Sequence, residues 1–193
     1  MSRLAEIDVT DEVLLRACAG EQRAREAIYA ATAGATLSLI RRLVGQRALA
    51  EDLFQDTMMT LFERLPQFRR EAPLGAWLRQ IAVSRCLMYL RSPWRRARLS
   101  LVSEESAVGA APAALVTPGY RGEAIDLERA LASLPATARA VVWMYGVEGY
   151  SHQEIAREFG RSVSFSKSQL ARAHVRLRAW LEPQENRPSC TMI

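Results

Sequence analysis

"SHQEIAREFGRSVSFSKSQLARAHVRLR", residues 151–178, decides how the rest of the chain is read. Ser151 and Glu154 stand at the spacing of a capping box, in which each side chain satisfies an orphan N–H at the same helix start. Ile155, Ala156 and Phe159 then share one face. Gly160 suits the left-handed residue that ends a helix. Beyond it, Val163, Ser166, Leu170, Ala173, Leu177 and Leu181 step by three and four, which predicts the buried seam of a second helix. Phe165, Ser168, Gln169, Arg172 and Arg176 are expected on its outer face. A short helix, a tight glycine turn and a longer basic helix make a helix-turn-helix. On such a helix Arg and Gln can pair with base edges, an apolar group can meet a thymine methyl, and the free N–H groups at Ser162 to Ser164 can meet a phosphate.

The charge pattern agrees. Arg161, Lys167, Arg172, Arg176 and Arg178 lie in a stretch without acids, and Arg85, Arg91, Arg95, Arg96 and Arg98 form a second such cluster. Overall the 193 residues carry a net charge of only +5, so the clustering says more than the total. Local cationic tracks are what an anionic polymer needs, because each neutralised phosphate releases counterions. The other reading of each cluster is a solvated helix face.

Moving toward the N-terminus, two more helices precede the motif: "IDLERALASLP" and "ATARAVVWMYGVEG", broken at Pro135 and the glycines. Before them, 99–123 is rich in Ala, Ser, Gly and Pro and keeps no sustained period, which predicts a linker. A first helical block spans about Thr10 to Arg91, opened by Thr10 as a cap with Asp11 and Glu12 in the first turn. Within it, Leu49, Leu53, Phe54, Thr57, Met58, Leu61, Phe62 and Leu65 form one apolar stripe, leaving Asp52, Gln55, Asp56 and Glu63 off it. After "PQFRREAP" comes a helix from about Leu74 to Arg91, with Trp77, Leu78, Ile81 and Met88 expected near one face. The fold class is all-α: two helical domains joined by a flexible linker, with domains at 10–95 and 124–182 and the linker at 96–123.

Several functions fit poorly. Cys18, Cys86 and Cys190 are too scattered for a disulfide framework, as in a reducing cytoplasm. There is no apolar signal core and no membrane-length run, so no membrane insertion is expected, and the terminal "CTMI" is a poor prenylation box because Thr191 is not aliphatic. His152 and His174 have no acid or cysteine at ligand spacing, so neither a metal nor a catalytic site is expected; no cofactor is either.

The chain also resembles a family. "AEDLFQDTMMTLFERLPQFRREAPLGAWLRQIA" is similar to the second sigma region of the extracytoplasmic-function sigma factors of bacterial RNA polymerase, within the sigma-70 family. "LPATARAVVWMYGVEGYSHQEIAREFG" and "SKSQLARAHVRLR" resemble the fourth. The likeness covers about residues 10–181. It implies a non-enzymatic protein that binds core polymerase, places its first domain on the −10 promoter element and its second on the −35 element, and helps melt DNA. The resemblance puts Asp52, Gln55 and Asp56 against the clamp of the large β′ subunit, and the β flap among the partners. It makes Arg69, Arg70, Arg79, Ser84, Arg85 and Arg91 the −10 residues, with the loop from Arg69 to Pro73 capturing an extruded base. It makes Ser164, Phe165, Lys167, Ser168, Gln169, Arg172 and Arg176 the −35 residues. It further implies an anti-sigma factor, which could hold the protein at the inner membrane, and a linker that threads toward the polymerase active site.

The sequence departs from the common pattern. Ser84 and Met88 stand where many relatives have Asn and Asp, and Phe165-Ser166 and Gln169 where relatives carry Thr-Val and Arg. A shifted base preference with retained backbone anchoring through Lys167, Arg172 and Arg176 is the expectation. Ser166 is expected to bond back to a helix carbonyl. The alternatives are a stand-alone helix-turn-helix regulator with an N-terminal dimerisation or sensory bundle, and a helical interaction module that binds no nucleic acid.

Overall fold

The structure is a computed structural model that describes residues 3–92 and 129–181, all helix and connecting turns. The expected linker at 96–123, Pro183, Cys190 and the Arg95–Arg98 cluster lie outside the described residues.

A 3-10 turn at Arg3–Glu6 leads to α1, Asp11–Cys18. Thr10 caps α1, its hydroxyl accepting from the Val13 N–H at 3.4 Å. The longest helix, α2, runs Gln22–Val44 and forms the spine of the first block. Thr32 and Thr36 are buried on it at no polar cost, because each hydroxyl donates to the carbonyl four residues back at 2.8 Å. Helix α3 spans Arg47–Arg64 and α4 spans Leu74–Arg91, and both pack on α2. Leu39, Ile40, Leu43, Leu61, Leu74, Leu78 and Leu87 are almost fully buried between them.

Two details of this block depart from the expected pattern. Met88 is exposed, and Cys86 and Leu87 take the inner face of α4. Thr60 is buried beside the apolar stripe, where its hydroxyl donates to the Asp56 carbonyl at 2.7 Å and accepts from Arg85 at 2.7 Å.

The second block begins, within the described residues, with helical residues 129–132 and turns at Ser133. Helix α5, Ala136–Gly146, starts after Pro135, whose lost N–H costs nothing at a helix start. Helix α6, His152–Phe159, carries the capping box as read: the Ser151 hydroxyl accepts from Glu154 N–H, and the Glu154 carboxylate accepts from Ser151 N–H at 2.7 Å. Those bonds hold the Glu154 carboxyl below its ordinary range. Gly160 ends α6 at φ 60°, and α7 runs Val163–Leu181. The pair α6–α7 is the expected helix-turn-helix.

The two blocks are docked on each other. Ala140, Val141, Met144, Ile155 and Phe159 of the second block join one apolar core with α2 and α4. Polar contacts pin the seam. Arg139, nine-tenths buried, donates to the Val44 carbonyl at 2.6 Å. Gly45, at φ 76°, leaves its guanidinium room: a Cβ there would overlap it. The Arg42 guanidinium lies 4.8 Å above the Trp143 ring.

Candidate nucleic-acid interface

Four surfaces carry the residues named from the sequence, and the structure treats them differently. On α3 the apolar stripe is turned inward, so Asp52, Gln55, Asp56 and Glu63 stand exposed along one side. Met59 lies among them and is 62% exposed, an apolar group on an otherwise acidic face that the stripe reading did not single out. Its spacing from Gln55, Asp56 and Glu63 would have revealed it.

The connection from α3 to α4 is held tightly. Phe68 stacks on Trp77 with ring centres 4.9 Å apart, and Trp77 packs against the core. Arg69 is exposed. Arg70 adopts φ 56°, a left-handed conformation uncommon for a residue with a side chain. Its guanidinium is taken up by the N-terminal segment: it pairs with Asp11, lies 3.6 Å from Asp8 and donates to the Val9 carbonyl at 3.1 Å. The same Asp8 carboxylate accepts from the Leu74 N–H at 3.2 Å, capping α4 from outside the helix. Arg70 therefore organises the loop and does not present an unpaired cation.

On α4, Ser84, Met88 and Arg91 share an exposed face at i, i+4 and i+7. Arg85 is half-buried on Thr60. Arg79 is engaged with the other block: its side chain is 17% exposed and donates to the Glu148 carbonyl at 3.0 Å and carboxylate at 3.3 Å. Of the six residues named for the −10 element, Arg69, Ser84 and Arg91 are exposed, while Arg70, Arg79 and Arg85 have internal partners.

On α7, Ser164, Lys167, Ser168, Arg172 and Arg176 are exposed, and Gln169 is half-buried. Phe165 is a correction. It is half-buried, tilted against Phe159 with ring centres 5.5 Å apart, and packs on the main core. The reason is the width of the buried arc, which spreads from the Ser166–Leu170–Ala173 line to its neighbour at 165. Val163, expected in the seam, is instead 37% exposed at the first turn. Ser166 is fully buried as expected, but its hydroxyl lies 3.0 Å from His152 Nδ1 and not on a helix carbonyl. The His152 ring stacks on Tyr145 at 4.5 Å, so this histidine ties α6 to α5 and α7. Phe165→Thr is expected to destabilise the second block by about 2 kcal/mol, read by thermal unfolding. Unchanged stability would return Phe165 to the outer face.

Among the described residues no group of His, Cys, Asp or Glu could hold a metal ion, and no helix is long and apolar enough to cross a membrane.

Known proteins match in the same two places. A family model described as Sigma-70 region 2 matches residues 28–96, and one described as Sigma-70, region 4 matches residues 124–177. The extracytoplasmic-function (ECF) RNA polymerase sigma factor EcfG of Rhodopseudomonas palustris is 30% identical over 72% of this chain and 75% of its own. SigM of Mycobacterium tuberculosis is 34% identical over 66% of this chain and 62% of its own, and the probable sigma factor RfaY of Xanthomonas campestris is 28% identical over 86% and 42%. The chain thus spans less than two thirds of the length of these last two relatives. A solved structure, the sigma factor RpoE in complex with the anti-sigma factor NepR from Bartonella quintana, is 27% identical, covers 82% of this chain and 97% of that one, and has a TM-score of 0.55.

Proposed function

Because the chain belongs to the ECF branch of the sigma-70 family, we propose that it directs core RNA polymerase to specific promoters and assists initiation. The observation that carries this reading is the pairing of two separate surfaces, an acidic exposed face on α3 and a cationic exposed face on the second helix of a helix-turn-helix. A stand-alone regulator needs only the second. In this reading Asp52, Gln55 and Asp56, with Met59 as an apolar centre, meet the clamp of the large polymerase subunit, and the second block meets the β flap. Ser84, Met88, Arg91 and the loop from Arg69 to Pro73 meet the −10 element.

Lys167, Arg172 and Arg176 anchor the −35 backbone, with Ser164, Ser168 and Gln169 facing the groove. The protein performs no covalent step. Its role is to position the polymerase and hold melted DNA, in the cytoplasm where polymerase works. An anti-sigma factor is a fitting regulator, since RpoE is seen with one.

In vitro transcription with purified core polymerase and a promoter library tests the proposal. Initiation is expected only when both proteins are present. Sequence-specific DNA binding by the chain alone, with no initiation in the mixture, would favour the regulator. On a promoter so selected, Ala at Lys167, Arg172 or Arg176 should each lower the salt slope of binding by about 1 with little change in sequence preference.

A further inference from the structure

The strongest unexplained feature is a buried acid at the seam between the blocks. Glu148 is 1% exposed and lies between α5 and α6. It takes two hydrogen bonds from opposite sides: Trp143 Nε1–H donates at 3.0 Å from its own block, and Arg79 donates at 3.3 Å from α4. Arg79 also donates to the Glu148 backbone carbonyl at 3.0 Å, and its guanidinium lies 5.2 Å from the Tyr150 ring centre. An arginine of the first block is thus wrapped by a carboxylate, a carbonyl and an aromatic ring of the second. Its Nε is buried without a partner. A buried pair of this kind is poorly repaid for the water it loses, so the contact is held as much by its surroundings as by its own strength.

We propose that Glu148 stands in for a DNA phosphate at Arg79, so that docking of the two blocks and −10 binding exclude one another. This rests on the promoter reading above and adds to it which arginine is masked and by what. Two physical points support it. A carboxylate and a phosphodiester oxygen are both anionic acceptors for a guanidinium, and the Arg79 side chain, 17% exposed while it is held in the seam, is largely covered from an incoming phosphate. The blocks touch here, whereas elements at −10 and −35 lie about 85 Å apart along B-DNA at 3.4 Å per base pair. The chain between Ser92 and Arg129 can bridge that gap at about 3.3 Å per residue. Occupying both elements therefore separates the seam and releases Arg79. The docked fraction reduces apparent DNA affinity by the share of molecules left competent.

The test compares full-length wild type, Glu148→Gln, Arg79→Ala and the double variant. Compaction is read by small-angle scattering. Binding of a fluorescein-labelled, random-sequence single-stranded 20-mer is read by anisotropy across a salt series. Glu148→Gln should expand the chain, tighten binding by about tenfold and steepen the salt slope by about one phosphate. Arg79→Ala in that background should keep the expansion and cancel the gain. Trp143→Phe keeps an aromatic ring but removes the N–H on Glu148; it should shift both readouts the same way by a smaller amount, which guards against a Glu148 variant that fails to fold. Expansion without tighter binding overturns the exclusion, as does a gain that survives loss of Arg79; either leaves the promoter reading standing. No expansion in any variant overturns Glu148 as the latch. If no form binds the oligonucleotide while the wild type still supports transcription with core enzyme, Arg79 is not a phosphate site in the chain alone and the inference fails by itself; failure of both assays takes the promoter reading with it.

Discussion

Gly75→Ala is expected to lower stability by about 3 kcal/mol, although the substitution puts the best helix former into a helix. At this position, the second residue of α4, the backbone alone would favour alanine, by at most about 1 kcal/mol. The surroundings reverse the sign. A Cβ at position 75 would overlap the Leu4 carbonyl oxygen and lie 2.8 Å from that of Ile7. Both atoms are backbone and have no rotamer to retreat into. The N-terminal turn would lift off α4, breaking the bond from the Gly75 N–H to the Ile7 carbonyl, now 2.8 Å. It would also unseat Leu4, which is fully buried, at about 2 kcal/mol for its apolar surface. The Asp8 cap and the Arg70 clip, which belong to the same segment, would loosen with it. Urea unfolding of the single variant, and of the same substitution in a chain lacking residues 1–8, separates the causes. The penalty should vanish in the shortened chain; a penalty that persists would show that the close approach is not its source.

Charge reversal at Asp52 and Asp56 should have the opposite profile, a large functional loss with an intact fold. Both side chains are exposed on α3, and neither carboxylate has a hydrogen-bonding or ion-pair partner among the described residues. Asp52→Arg with Asp56→Arg should therefore change stability by no more than about 0.5 kcal/mol per site. Association with core polymerase should fall by about 100-fold or more, because two attractive pairs at a cationic partner become two repulsive ones. Co-purification with core enzyme, paired with a melting curve, gives both quantities. Retained association would remove the α3 face from the polymerase interface, whereas a collapsed melting curve would mean the side chains have structural roles.

Local elements were readable wherever a short-range rule governs them. The Ser151–Glu154 box, the Gly160 stop, the Thr10 cap and the α3 stripe all appear where the spacing puts them, because each depends on residues within about one or two turns. Residues at the margin of a stripe were less legible. Phe165 and Met88 lie one position from a buried line, and the helical period does not say how wide the neighbouring element is. Thr60 and Ser166 show the same limit for polar groups, since their partners Arg85 and His152 come from other helices.

The basic residues divide along that line. The sequence by itself determined that the chain is helical, that it ends its recognizable part in a helix-turn-helix, and that its cations cluster on α4 and α7. Those are consequences of periodicity and composition. Which cations are available was decided only in the tertiary structure: Arg70 is clipped by Asp8 and Asp11, and Arg79 by Glu148, 69 residues away along the chain. A guanidinium's charge is present in any fold, but its freedom to bind a phosphate depends on whether another acid already occupies its donors, and that is a matter of which distant segments packing brings together.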